Sequence, residues 1–364
     1  MAEPLKNMFF QAEFFDDLAA ACKAVYPPFE PGTFLARIYD EGWDDRELKE
    51  RMRHTTITLG SLLPKDYRTA LSLLRQAAPS LDSYGFENMI FSDFVEVYGL
   101  DDWHVSLPAL EQFTQLASAE FAVRPFILKD QERMMVQMLE WAGHESPHVR
   151  RLATEGCRPR LPWAMALPPL KADPSPTLPI LEQLKFDEAG SVRRSVANNL
   201  NDISKDNPGV VVDLLRRWRT HDTAEMRWII NHALRTLVKA GDPDALELLG
   251  YPSQPAVAVK NLFVEPDTVA IGEKLTFSFE IESTGEAAQK LMVDYVMHLV
   301  RTRGKRTQKV FKLTKKTIAP GETLAIAKRH SFQQMSTRQY YPGQHAIEIQ
   351  INGTSFGRME FTVR

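Results

Sequence analysis

Four short segments in the middle of the chain share a dipeptide in which an apolar residue precedes an arginine. The segments SAEFAVRPF, ESPHVRRLA, EAGSVRRSVA and TAEMRWII are centred on Val123-Arg124, Val149-Arg150, Val192-Arg193 and Met226-Arg227. Successive dipeptides lie 26, 43 and 34 residues apart, which is irregular but spans the periods of repeats built from helix pairs. The pattern predicts that each dipeptide opens the second helix of a pair. Its apolar residue should face the neighbouring repeat, and its arginine should lie nearer the surface.

Helix pairs that stack on one another bury a continuous core between neighbours and wind into a superhelix. We therefore expect HEAT-like repeats from about Pro108 to Gly250. Upstream of them, apolar residues at helical spacing predict further helices. These are expected over Leu5–Tyr26, from Pro31, over Leu48–Leu62, over Tyr67–Ala78 after an Asp66 cap, and over Phe86–Tyr98. Residues 1–252 are thus expected to form one helical domain.

The pattern changes after Tyr251. Alternating apolar and polar residues over Val257–Val264 and Leu275–Ile281 replace the helical period. Turn signals such as Ala319-Pro-Gly and Tyr341-Pro-Gly recur between them. Short strands at this spacing predict an immunoglobulin-like β-sandwich over residues 256–364. The expected fold class is mainly α, a HEAT-like α-α superhelix followed by this sandwich.

Charge is distributed unevenly along the chain, whose formal net charge is −3. Residues 256–364 hold 16 Lys and Arg against 10 Asp and Glu, whereas the remainder holds 28 basic against 37 acidic residues. A basic module in an otherwise acidic chain is typical of one that meets a polyanion, although a small β domain can also be basic by chance.

Several protein classes are disfavoured by composition. No uninterrupted apolar run reaches the ~18 residues that would suggest a membrane span. The N-terminus is acidic where a signal peptide would be basic, so we expect a cytoplasmic location. Cys22 and Cys157 lie far apart and lack the spacing of metal ligands, so no metal site is expected.

Positions three and four apart on a helix share a face, so the repeats should present polar residues on the side away from the core. The expected neighbouring columns are Arg151 with Glu155, Arg194 with Asn198, and Trp228 with His232. An exposed helix ion pair contributing a few tenths of a kcal/mol is the alternative for Arg151 and Glu155. For Trp163 the alternative is packing of its loop against the solenoid, and for Glu120 it is interaction with the positive end of a helix dipole.

The segments SAEFAVRPF, HVRRLATEGCRPRLPW and RRSVANNLNDISK, with the PLKNMFF start, resemble the AlkC branch of the AlkC/AlkD HEAT-like DNA glycosylases. The resemblance covers roughly Leu5 to Gly250, and the tail resembles the immunoglobulin-like domain that some members carry. It implies a monofunctional DNA repair enzyme that hydrolyses the N-glycosidic bond of cationic alkylated bases in duplex DNA. The implied substrates are bases such as 3-methyladenine and 3-methylcytosine, and the product is an abasic site for base excision repair. A monomer without a cofactor is expected.

The resemblance also implies roles for individual residues. Glu120 and Glu155 match the two glutamates that face the lesion in this branch and are the expected catalytic pair. Arg151, Trp163 and Asp202 match its further contacts to the lesion or its sugar. The resemblance thus converts a generic polar face into a candidate active site.

Basic residues near this face are candidate contacts to the DNA backbone. These are Arg158, Arg160 and Arg194 in the repeats, and Arg301, Arg303, Lys305 and Arg306 in a predicted hairpin of the sandwich. The alternative for the hairpin is a solvated turn that keeps an edge strand soluble. For the whole chain, the alternative is a non-catalytic HEAT-repeat scaffold that binds a protein partner or damaged DNA.

Overall fold

The computed structural model describes residues 6, 8–301, 304–335 and 338–364. Within these residues the chain forms sixteen α-helices followed by eight β-strands. It divides into two compact units. The first, which we call the helical unit, comprises residues up to 207 together with 222–233, and the second comprises 208–221 together with 234–364.

The N-terminal part of the helical unit contains the predicted helices, but the first begins at Ala12 and not at Leu5, since residues 8–10 form turns and bends. Its helices are α1 (Ala12–Val25), α2 (Pro31–Ile38), α3 (Leu48–Leu62), α4 (Tyr67–Ala77) and α5 (Met89–Tyr98). Asp66 caps α4 as predicted, because its side chain accepts a hydrogen bond from the backbone N–H of Thr69 at 2.9 Å. A short 3-10 helix over Phe86–Asn88 precedes α5, so the predicted last helix begins in a tighter turn.

The repeat region contains the remaining helices. They are α6 (Trp103–Phe113), α7 (Val123–Lys129), α8 (Gln131–Trp141), α9 (Pro147–Gly156), α10 (Pro168–Ala172), α11 (Leu178–Leu184), α12 (Gly190–Ile203), α13 (Pro208–Trp218), α14 (Ala224–Ala233), α15 (Arg235–Ala240) and α16 (Pro243–Leu248). The four dipeptides lie in the first turns of α7, α9, α12 and α14, and their apolar residues are buried. Within the helical unit, α9 packs on α8 and α12, and α12 packs on α14. The predicted stacked helices are confirmed.

The change from helix to strand falls where the sequence places it. The last helix ends at Leu248 and the first strand begins at Val257. The compact unit that contains the strands also contains α13, α15 and α16. The division of the chain into domains over 1–252 and 256–364 stays a prediction.

The strands form the predicted sandwich. They are β1 (Val257–Glu265), β2 (Thr268–Val269), β3 (Lys274–Ser283), β4 (Gln289–Val300), β5 (Arg306–Ile318), β6 (Thr323–Ser331), β7 (Gly343–Ile351) and β8 (Thr354–Val363). One sheet has the order β1-β3-β6 and the other β2-β8-β7-β4-β5. All pairs are antiparallel except β2 with β8. Alternate residues such as Phe277, Phe279 and Ile349 point into one shared core.

No helix in the described part of the chain is both long enough and apolar enough to cross a membrane. The cytoplasmic location and the monomeric state stay predictions.

Candidate active site

Six charged side chains of alternating sign form a continuous chain of contacts on the helical unit, which we call the carboxylate network. In order of contact they are Glu120, Arg151, Glu155, Arg158, Asp202 and Lys205. They come from the segment before α7, from α9 and the segment after it, and from the C-terminal end of α12 and just beyond. Alternation matters because a carboxylate removed from water is costly unless cations and hydrogen-bond donors replace the water.

Glu120 is held at one of its two carboxylate oxygens. Arg151 Nη2 donates to Glu120 Oε2 at 2.9 Å, and Ser118 Oγ donates to the same oxygen at 2.8 Å. Arg151 Nη1 also donates to Ser118 Oγ at 2.9 Å, which closes a ring of three contacts. Among the described residues, no side chain or backbone group donates to Glu120 Oε1. Because the side chain is partly exposed, this second oxygen is accessible to a substrate or a water molecule.

Glu155 is buried, with only 5% of its surface exposed. Arg158 Nη1 donates to its Oε1 at 2.5 Å, and Ser195 Oγ of α12 donates to its Oε2 at 2.5 Å. Arg151 Nη2 lies 3.8 Å from Glu155 but 2.9 Å from Glu120, so Arg151 joins the two glutamates. An exposed helix ion pair, the alternative for Arg151 and Glu155, is therefore wrong.

Arg158 lies between two carboxylates and is itself buried. Its Nε donates to Asp202 Oδ2 at 2.8 Å, while its Nη1 donates to Glu155. Burial alone would lower the pKa of Arg158, but the charges of Glu155 and Asp202 leave that pKa above its ordinary value. The predicted contact of Arg158 with a DNA phosphate does not fit this burial, because the guanidinium is already committed to two protein carboxylates.

Asp202 is equally enclosed. Only 2% of its surface is exposed, and Lys205 Nζ donates to the carboxylate oxygen that Arg158 leaves free, at 2.8 Å. Both oxygens of Asp202 therefore have cationic partners. A direct contact of Asp202 with the lesion or its sugar, as the resemblance implies, does not fit this enclosure, whereas support of Arg158 does.

Trp163 follows α9 and is largely exposed, with 61% of its surface accessible. It adopts a positive φ of 63°, which is uncommon for a residue other than glycine. Lys49 Nζ of α3 donates to the carbonyl of Trp163 at 2.7 Å and lies 4.4 Å from the centre of the Phe121 ring. Lys49 therefore ties the backbone of Trp163 to the segment that carries Glu120. The contact with α3 also fits the alternative for Trp163, which is packing of its loop against the solenoid.

Arg124 is a residue of this region whose role the sequence did not indicate. Its side chain is 0% exposed, and its Nη1 donates to the carbonyls of Gly156 at 3.0 Å and Arg158 at 2.9 Å. Its Nε donates to the carbonyl of Met165 at 2.7 Å. One guanidinium thus fixes the backbone on both sides of Trp163. Burial lowers the pKa of Arg124 to about 10, so the group remains a cation at neutral pH.

The arginines of the four dipeptides divide into two classes, which corrects the expectation that all lie near the surface. Arg124 and Arg150 are buried, whereas Arg193 and Arg227 lie nearer the surface. Arg150 donates to Asp187 at 2.6 Å and to two backbone carbonyls. Repeat spacing identified these positions. It does not show which arginine is buried against backbone carbonyl groups, as Arg124 is in the loop after α9.

A glycine allows α9 to approach α7 closely beside Arg124. A Cβ atom at Gly156 would lie 2.6 Å from Val123 Cγ2, which is too close for any larger residue without a shift of the helices. The carbonyl of Gly156 is one of the three that Arg124 holds. Gly156 and the Val123-Arg124 dipeptide therefore act together: the glycine permits the close packing of α9 on α7, and Arg124 holds the loop after α9.

The three expected columns of polar residues lie on adjacent helices. Ser195 of α12 contacts Glu155 of α9, and His232 Nε2 of α14 lies 2.9 Å from Asn198 Oδ1 of α12. The rings of Trp228 and His232 stack with centres 4.8 Å apart. One polar face thus runs across α9, α12 and α14.

The candidate backbone contacts in the repeats differ in availability. Arg160 is partly exposed and makes two hydrogen bonds to Asp206, at 2.9 and 2.7 Å. Arg194 is exposed, and no ion pair joins it to any residue that the structure describes. Arg194 is therefore the freer of the two for an external anion, and both assignments stay predictions.

The predicted hairpin is present, since β4 and β5 pair directly on either side of it. Arg301 donates from Nε to Thr307 Oγ1 and from Nη1 to the carbonyl of Gln339, each at 2.9 Å. Lys305 and Arg306 are exposed, and Arg303 lies outside the described residues. Contact of this hairpin with DNA stays a prediction.

Stacked helix pairs that carry this network, followed by a two-sheet sandwich, define a helical-repeat protein with a C-terminal β domain. Residues 258–364 match the family model described as the C-terminal Ig-like domain of uncharacterised protein YhaZ. The chain is 45% identical over 355 residues to the uncharacterized protein YhaZ of Bacillus subtilis (strain 168), which covers 97% of this chain and 98% of that protein.

Its structure is similar to that of the Pseudomonas fluorescens alkylpurine DNA glycosylase AlkC bound to DNA containing an abasic site analog. The TM-score is 0.91, the sequence identity is 39%, and all of both chains is covered. The chain therefore belongs to the AlkC family of DNA glycosylases.

Proposed function

We propose that this protein is a DNA glycosylase that hydrolyses the N-glycosidic bond of cationic alkylated bases, such as 3-methyladenine and 3-methylcytosine, in duplex DNA. The observation that carries the proposal is the pair of glutamates joined by Arg151, in which Glu120 has one oxygen without a protein donor among the described residues. Membership of the AlkC family supports it, since the similar AlkC structure holds DNA with an abasic site analog.

The chemistry suits a site with carboxylates. Alkylation of a ring nitrogen gives the base a positive charge, so the bond between C1′ and that base breaks with both electrons moving to the base, which leaves neutral. The sugar then develops oxocarbenium character, which a preorganised carboxylate stabilises. Water adds to C1′ and loses a proton to a carboxylate, as in glycoside hydrolysis by paired acids. The products are the free base and an abasic site.

The contacts favour different roles for the two glutamates. The accessible Oε1 of Glu120 faces the sugar or the attacking water in this proposal. Both oxygens of Glu155 already have protein donors, so Glu155 holds Arg151 and Arg158 in position and adds negative charge nearby. Arg158 and Asp202 extend this support, and the exposed indole of Trp163 contacts the sugar or the base.

The test is mass analysis of bases released from methylated duplex DNA, in the presence of a chelator because no metal or cofactor is required by the proposal. We expect release by the wild-type protein and a loss of roughly 100- to 1000-fold in Glu120→Gln, because charge stabilisation at the sugar is removed. Glu155→Gln should lose activity as well. Glu188→Gln is the control, since Glu188 is a largely exposed acid of the helical unit outside the network.

Absence of release by the wild-type protein, or release that persists in the double variant Glu120→Gln/Glu155→Gln, would contradict the proposal. The alternative of a non-catalytic scaffold that binds a protein partner or damaged DNA predicts no base release at all. As a protein scaffold it also predicts equal affinity for alkylated and plain duplexes across a salt titration. The accessible carboxylate of Glu120 disfavours a surface for phosphates alone, because it would repel them.

A further inference from the structure

A cleft lies on the polar face of the helical unit, between the first turns of α12 and α14. Its volume is about 360 Å³, and its lining residues are Gly190, Arg193, Arg194, Ala224, Glu225 and Trp228. We infer that this cleft binds one nucleotide of the damaged strand beside the lesion, with its phosphate on Arg194 and its sugar or base on Trp228. The inference rests on the proposed glycosylase function and adds a binding subsite to it.

Trp228 offers a flat apolar surface that is already held in place. It is 42% exposed, an unusual state for so large a side chain, and it lines the cleft. The His232 ring stacks on it with an angle of 11° between the planes, and His232 in turn contacts Asn198 of α12. The stack covers one face of the indole and restricts its rotation, so a ligand in the cleft meets a preorganised ring.

Arg194 supplies the charge in this cleft. It is exposed, whereas the neighbouring Arg193 donates to the backbone carbonyls of Asp187 and Glu188 at 2.5 and 2.9 Å. Glu225 opposes part of this positive charge, but the two guanidinium groups outnumber it among the lining residues. An exposed arginine beside an exposed aromatic ring is the combination with which proteins bind single nucleotides through phosphate and stacking contacts.

The cleft is adjacent to the carboxylate network along α12. Arg194 lines the cleft, and the next residue, Ser195, donates to Glu155 at 2.5 Å. A nucleotide in the cleft can therefore belong to the same strand as the sugar that faces Glu120. This continuity favours a strand-linked nucleotide over a free one.

The test is the kinetics of base release from methylated duplexes. We expect Trp228→Ala and Arg194→Ala each to raise KM roughly 10-fold while kcat changes little, because a binding contact away from the reacting bond is lost. Trp228→Phe should restore most of the affinity, since it keeps an aromatic ring. Arg227→Ala is the matched control, because Arg227 lies next to Trp228 on α14 but pairs with Asp222 at 2.5 Å.

Substrates that lack the nucleotide on the 5′ or the 3′ side of the lesion then locate the contact. The penalty of Trp228→Ala should disappear when the nucleotide on one of the two sides is removed. Unchanged KM in both alanine variants, or the same penalty on every truncated substrate, would overturn the inference. An inactive wild-type protein would instead overturn the proposed function, so the two failures are distinguishable.

Discussion

The helical unit and the sandwich handle charge in opposite ways. In the carboxylate network each acid contacts a cation, and three of the six members, Glu155, Arg158 and Asp202, are buried. On β5, the outer strand of the larger sheet, four lysines form what we call the basic edge: Lys309, Lys312, Lys315 and Lys316. No salt bridge joins any of them to an acid in the described part of the chain.

The two arrangements suit different tasks: buried, paired charges suit short-range stabilisation, and exposed charges suit long-range attraction. Buried, partnered charges keep their positions and can stabilise a charge that develops on a group in direct contact with them, which suits chemistry at a single sugar. Exposed, unpartnered cations act over about 10 Å and weaken as salt rises, which suits attraction of a polyanion. Burial together with the nearby cations Arg338, Lys239 and Arg301 lowers the pKa of Lys309, as expected where like charges accumulate. We therefore expect catalysis to depend on the network and salt-sensitive DNA affinity to depend on the basic edge.

The largest expected effect that sharpens this comparison comes from two buried arginines at equivalent repeat positions. Arg124→Lys should lower kcat roughly 10- to 100-fold, because an ammonium group cannot hold all three carbonyls of the loop around Trp163, and small displacements at a site cost this much. Arg150→Lys should keep kcat, because Arg150 holds Asp187 and the loop before α9 instead. Single-turnover base release measures both.

Thermal unfolding of the two variants separates positioning from simple destabilisation. Both substitutions disturb buried hydrogen bonds to charged groups and should lower the unfolding temperature. Equal losses of kcat in Arg124→Lys and Arg150→Lys would show that the loop contacts have no special place in catalysis.

The sequence predicted the parts of this arrangement that depend on local pattern. The dipeptides located four helices, and the resemblance placed Glu120, Glu155 and Trp163 in one region. What local pattern cannot show is which charges meet after folding. Arg158 and Asp202 are 44 residues apart in the chain, and their contact exists only because α12 packs on α9. The sequence therefore predicts that both residues contact DNA, whereas in the structure they are buried and contact each other.

A second, smaller effect concerns His330, a buried residue of the sandwich whose pKa is influenced by nearby cations. Burial, with the nearby charges of Arg338 and Lys328, lowers the pKa of His330 to about 4. Its ring contacts the hydroxyls of Tyr295 at 2.8 Å and Tyr340 at 3.0 Å. Because the folded state disfavours the protonated ring, its contribution to stability is complete above the ordinary pKa of about 6.5 and is lost as pH falls towards 4.

We expect the free energy of unfolding of the wild-type protein to fall by roughly 2–3 kcal/mol more over this pH window than that of His330→Gln. Asp294 works in the opposite direction, since burial raises its pKa to about 6 and its contribution is lost as pH rises through that value. Asp294→Asn should therefore make the acid loss steeper. Urea unfolding at pH 7 and pH 4.5 measures all three proteins, and parallel pH dependences would contradict the assignment.

The smallest expected effect tests the basic edge itself. Lys312→Gln and Lys315→Gln should each reduce the slope of log affinity against log salt by up to about 0.9 if the lysine contacts one phosphate, because fewer counterions are released on binding. The value of kcat at saturating DNA should not change. Lys260→Gln is the charge-matched control, since Lys260 lies on β1 in the other sheet and pairs with Glu282. An equal change in the control would mean that only net charge matters. A slope that is unchanged in all variants would show that the basic edge does not bind DNA, which would leave the helical unit as the source of affinity.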